Sequence, residues 1–197
     1  MKKYMAEAVG TGVLALVVGL SLAGTFPVPT PVLAALTLGL FVYSLGHVSG
    51  THINPAVTVG LWSLGKITLP EMAKYIIAQF AGAGVVFVVL PSLVTKMPDL
   101  ITSEALVVGF AEAVGTAIFT FGIASVVFGK TVNVMSGVVI GGSLLLGVAV
   151  AALLGSNGIL NPAVALGVLS FNIMYALGPV AGSVIGMQLY RYLAVTE

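Results

Sequence analysis

The stretch Gly46-His47-Val48-Ser49-Gly50-Thr51-His52-Ile53-Asn54-Pro55-Ala56-Val57-Thr58 decides the fold, because it plants a helix start inside an otherwise apolar region. Asn is among the best N-cap residues, its side-chain oxygen accepting a free N–H of the first turn, and Pro follows where no N–H is needed. The same start returns at Asn161-Pro162-Ala163-Val164. Backbone that begins a helix at membrane depth is tolerated only where protein covers it or where it lines a water-filled cavity. Two such starts point to two half-helices meeting around a path.

That these segments lie at membrane depth follows from composition. Hydrophobic residues make up 59% of the chain, charged residues 7%, and mean hydropathy is +1.18. A soluble domain carries about 25% charged residues. The chain therefore reads as an all-α integral membrane protein. At roughly 20 residues a span, six spans and two half-helices use most of the 197 positions and leave no soluble domain. A net charge of +1 gives nucleic acid no electrostatic footing. With no cysteine, disulfides and thiolate metal sites are excluded, and no cofactor is expected. The N-terminus, Met1-Lys2-Lys3-Tyr4, runs into a full-length span and reads as a retained first helix.

Pro, Gly and charge punctuate the chain into expected spans at 6–25, 32–49, 72–92, 104–128, 133–154 and 173–193. Apolar stretches at 54–64 and 161–170 are too short to cross and fit re-entrant half-helices. With the N-terminus inside, Lys2, Lys3, Lys66, Lys74, Lys130 and Arg191 are cytoplasmic and only Lys96 is outside. The positive-inside rule thus predicts a multi-pass protein of the cell membrane with both termini cytoplasmic.

The two halves are copies. Ala6-Glu7-Ala8-Val9-Gly10-Thr11 recurs 105 positions later at 111–116, and the Asn-Pro-Ala-Val motif recurs 107 positions later. A single transmembrane domain over 1–197 is expected, with repeats at about 1–97 and 103–197, joined near Thr95-Lys96-Met97-Pro98-Asp99. Each half holds three spans, so the second enters the membrane from the opposite side and the repeat is inverted.

The first motif, the paired Asn-Pro-Ala, the Glu-containing start of both repeats and Tyr175-Ala176-Leu177-Gly178-Pro179 together resemble the aquaporin (major intrinsic protein) family over essentially the whole chain. The resemblance implies a right-handed bundle of six transmembrane helices plus two re-entrant half-helices, one pore per subunit and a homotetramer. It implies that Asn54, Pro55, Ala56, Asn161, Pro162 and Ala163 form the pore centre, with Thr51, His52, Ser156 and Asn157 lining it through backbone carbonyls. Both half-helices aim the positive ends of their dipoles at one spot and repel cations, as in aquaporin-type pores. Glu7 and Glu112 are costly in a membrane unless they face the interior with partners. They read as buried structural carboxylates holding the re-entrant loops, and His47 as packed between helices.

One departure bears on selectivity. Most members follow the second motif with Arg, where this chain has Val164, and the glycerol-conducting branch then has Asp, where it has Ala165. Counting from each Asn places the other filter positions at Ala34, Ala149 and Gly158. So small and apolar a filter predicts a wide outer mouth and a passive channel for water and small neutral solutes of the glycerol, urea and ammonia class. The competing reading is a proton-coupled secondary transporter of a small solute, using Glu7 or Glu112. An enzyme is not expected, since no nucleophile has a base and an orienting partner.

Overall fold

The computed structural model describes residues 1–24, 26–98, 100 and 103–195. Its spans are α1 (Lys2–Ala23), α2 (Thr30–Ser49), α4 (Leu69–Leu93), α5 (Leu106–Val127), α6 (Ser136–Leu153) and α8 (Ile173–Ala194), each long and apolar enough to cross a membrane. Between them lie two short helices, α3 (Pro55–Ser63) and α7 (Pro162–Gly167). Thr25, at the end of the first expected span, and Asp99, in the connection between halves, fall outside the described residues.

Local side-chain caps start four of these eight helices, α3, α4, α7 and α8. Asn54 accepts from Ala56 N at 2.8 Å, and Asn161 accepts from Ala163 N at 3.1 Å and Val164 N at 3.3 Å. Thr68 accepts from Glu71 N at 3.4 Å, the spacing of a capping box, and Asn172 accepts from Met174 N and Tyr175 N. Helix α6 has no cap of its own, and Asn133–Met135 forms a 3₁₀ turn before it. The cap comes from α2, where the Tyr43 hydroxyl accepts from Val138 N at 3.2 Å and donates to Val134 O at 2.9 Å. The second half-helix is shorter than the expected 161–170 stretch. Leu169 turns into the left-handed region at φ 61° and Ser170 N donates to Ala165 O at 2.9 Å, closing the helix early.

The packing repeats between the halves: α1 lies on α2 and α4 as α5 lies on α6 and α8. Each half-helix crosses over, α3 packing on α8 and α7 on α4 and α1, while α2 meets α6. Close approach needs glycine at the matched positions Gly82 and Gly182. A Cβ there would overlap the carbonyl oxygens of Ala8 and Ala113 respectively. Leu36, Leu40, Val85, Val88, Phe110, Leu146 and Leu177 stand exposed on the outside, while Glu7, Thr58, Gln79, Glu112 and Asn161 are buried. An apolar exterior around polar groups is the arrangement lipid requires.

Candidate functional site: the meeting of the two half-helices

The two helix starts are tied to each other. Asn54 Nδ2 donates to the Leu160 carbonyl at 2.8 Å, and Asn161 Nδ2 donates to the Ile53 carbonyl at 2.9 Å. Both carbonyls lie one residue before a capping Asn, and both residues sit at positive φ, 37° for Ile53 and 54° for Leu160. The strain of that backbone is held by the bonds made around it. Each amide oxygen is occupied by its cap, and each NH2 retains one hydrogen without a protein acceptor among the described residues.

Behind the loops stand the two carboxylates, both fully buried. Glu7 accepts from Ser49 Oγ at 2.7 Å, His52 N at 3.0 Å, Ile53 N at 2.6 Å and Gln79 Nε2 at 2.8 Å. Glu112 accepts from Ser156 Oγ, from Ile159 N at 3.0 Å and from Leu160 N at 2.7 Å. A carboxylate accepting several N–H and O–H donors is satisfied in place. The N–H donors of His52, Ile53, Ile159 and Leu160 come from the backbone just before each capping Asn. The tyrosines complete the support: Tyr75 OH donates to Ser49 O at 2.8 Å, and Asn157 Nδ2 donates to Tyr175 OH at 2.6 Å.

Two cavities flank this centre. One, of about 330 Å³, opens on the side of the α1–α2 connection and is lined by Ala34, Val148, Asn157, Gly158 and Val164 as well as both capping Asn residues. The other, of about 760 Å³, opens on the side where α1 begins and is lined by His47, Thr51, Lys66, Ile123 and Asn133. Leu38, His52 and Phe119 belong to both walls and mark the junction.

Three expected site residues are placed elsewhere. Ala149 is exposed on the outer face of α6, and Val148 takes its place in the cavity wall. One residue is about 100° of helix rotation, so an error of one turns a side chain from lumen to lipid. His47 is not buried between helices; it is exposed and borders the larger cavity. It lies in the last turn of α2, at the rim where the bundle opens. Ser156, expected to line the path through its carbonyl, is not in the wall of the smaller cavity, and its hydroxyl donates to Glu112. Sequence reasoning also passed over Gln79, Thr58, Leu38 and Phe119. Gln79 had a usable signal, as the one amide within the apolar run of the third span. Leu38 and Phe119 had none, being apolar residues among apolar neighbours.

Six apolar spans around two cavities that meet between paired half-helix starts define a multi-pass helical membrane protein. The sequence signature of the Major intrinsic protein family matches residues 1–190. A probable aquaporin of Archaeoglobus fulgidus, AqpM, is 33% identical over 186 residues, covering 81% of this chain and 74% of that protein. Aquaporin NIP1-1 of Arabidopsis thaliana is 28% identical over 222 residues, covering all of this chain and 75% of that protein. The crystal structure of the aquaglyceroporin from Plasmodium falciparum shares the fold, with a TM-score of 0.72 at 24% identity over 98% of this chain and 96% of that one. The chain belongs to the major intrinsic protein family, and membership makes it a passive channel for water and small solutes.

Proposed function

We propose that water and small neutral solutes of the glycerol, urea and ammonia class pass single file between the two cavities, past Asn54 and Asn161. The observation that carries this reading is the reciprocal bonding of the two capping amides to the carbonyls of Ile53 and Leu160. It pins both donors at one depth and leaves each an N–H for a passing oxygen. The half-helix dipoles converge there and oppose cations and protons, α3 contributing more than the six-residue α7. The mouth on the side of the α1–α2 connection is framed by Ala34, Val148, Gly158 and Val164, with no cationic or aromatic side chain among the four. Such a frame supports weak size exclusion, with Asn157 and Gly158 supplying the polar edge.

In this reading the start of α1 faces the cytoplasm, as the distribution of Lys and Arg supports. The pore is one of four in a homotetramer embedded in the cell membrane, and residues 1–197 form one channel domain. Glu7 and Glu112 serve the loops. Their hydrogen-bond donors come from the segments before the capping Asn residues and from Gln79, and neither carboxylate lines either of the two cavities, which speaks against Glu7 or Glu112 as the proton-loading group of a coupled transporter.

Stopped-flow measurements on proteoliposomes test the reading with a panel of water, glycerol, urea, ammonia and protons. Flux of the neutral solutes is expected to be linear in their gradients, without saturation and without proton leak. Passage of water with complete rejection of glycerol, urea and ammonia would overturn the wide mouth. Saturable flux that collapses with the proton gradient would establish coupling.

A further inference from the structure

The junction of the two cavities is unequal in a way the repeat does not require. His52, Thr58 and Gln79 of the first half correspond, by the offsets of the repeat and of the matched glycines, to Ile159, Ala165 and Pro179 in the second. The first half thus carries a chain of polar side chains for which the second has only apolar ones.

Around Thr58 Oγ1 three contacts converge: Gln79 Nε2 at 2.9 Å, the Asn54 carbonyl at 3.0 Å and His52 Nδ1 at 3.2 Å. Gln79 is buried, and its Nε2 also donates to Glu7 Oε2 at 2.8 Å. Turned over, its amide would set an oxygen against a carboxylate oxygen, so Nε2 is the donor in both contacts. Thr58 has a single proton, and a carbonyl can only accept. The Asn54 carbonyl therefore takes the Thr58 proton, and the contact with His52 holds a proton only if Nδ1 provides it. For a neutral ring, no other assignment puts a hydrogen in all three contacts.

The other ring nitrogen then carries a lone pair. His52 Nε2 has no protein partner among the described residues, and its ring, tilted over Tyr75 at 4.7 Å between centroids, belongs to the walls of both cavities. We propose that Thr58 and Gln79 hold His52 as the Nδ1-protonated neutral tautomer, so that Nε2 is a hydrogen-bond acceptor for the solute at the junction. The solute's own donor meets His52 there while its oxygen meets Asn54 and Asn161. His52 is thereby a specificity-determining residue favouring solutes that carry both an acceptor and a hydroxyl or N–H donor. Thr58 and Gln79 are positioning residues acting through it. The solute contact rests on the channel reading above; the tautomer does not.

The tautomer is read by ¹⁵N solid-state NMR on histidine-labelled protein in lipid, where protonated and bare ring nitrogens are resolved. The chain has only two histidines, and the spectrum of His47→Gln assigns the remaining one. The expected result is a protonated Nδ1 and a bare Nε2; the reverse overturns the assignment. Thr58→Val removes the acceptor at similar volume and is expected to bring in the Nε2-protonated form and lower water permeability by about two- to tenfold, the worth of one hydrogen bond. Thr58→Ser, which keeps the hydroxyl, is expected to restore both. A tautomer unmoved in Thr58→Val overturns the role of Thr58, and a shifted tautomer with unchanged permeability overturns the solute contact. Parent proteoliposomes that pass no solute, with Nδ1 still protonated, would remove the channel reading and leave the tautomer standing.

Discussion

Glu112 illustrates what a single residue carries in this protein. Its carboxylate gathers the hydroxyl of Ser156 and the N–H groups of Ile159 and Leu160, immediately before the second capping Asn. Substitution by Ala would strand these donors where water is scarce, at about 1–3 kcal/mol for each unsatisfied group. Glu112→Ala is expected to lower stability by about 3 kcal/mol or more, measured by thermal unfolding in detergent. Glu112→Gln, which keeps one acceptor, should lose less. Val164 carries the opposite kind of information, since it adds no polar group to the cavity it lines. Val164→Arg would place a guanidinium in that mouth and is expected to reduce glycerol and urea permeation more than water permeation. Equal losses, measured by stopped flow, would show that Val164 does not bound the path.

Elements here are set by close contact more than by amphipathicity. Both faces of each span are apolar, so no stripe of hydrophobic residues tells a helix which way to face. In lipid the guide is packing, with small residues letting backbones approach. Gly182 on α8 sits against the Ala113 carbonyl of α5, with no room for a Cβ. Gly182→Val is expected to push α8 from α5 at a cost of roughly 1–3 kcal/mol, the usual penalty of overpacking. A melting temperature equal to that of the parent would contradict it. The spans were legible in the sequence because length and hydropathy are local. The Tyr43 cap on α6 was not, because donor and acceptor are about 90 residues apart and meet only when α2 packs on α6.

At the scale of the whole molecule, the repeat and the uneven basic residues predict a topology. Because the chain has no native cysteine, single-cysteine variants report sidedness without background. Lys96→Cys is expected to react with an impermeant thiol reagent from outside the cell, and Lys130→Cys only after the cytoplasmic face is opened. Labelling of both from one side would refute the orientation and the three-span count per half.

What the sequence determined by itself was the plan: six spans, two capped breaks between them, and a duplication whose odd number of spans inverts the second copy. Those features are written in composition, spacing and repetition, which need no partner to be read. The tertiary structure alone decided which atoms meet. It turned Val148 rather than Ala149 to the cavity, left His47 at an open rim, turned Ser156 inward, and joined Asn54 and Asn161 through each other's loops. Each of these depends on the rotation of a helix about its axis or on a contact between halves. In a chain apolar on nearly every face, only packing against neighbours resolves those choices.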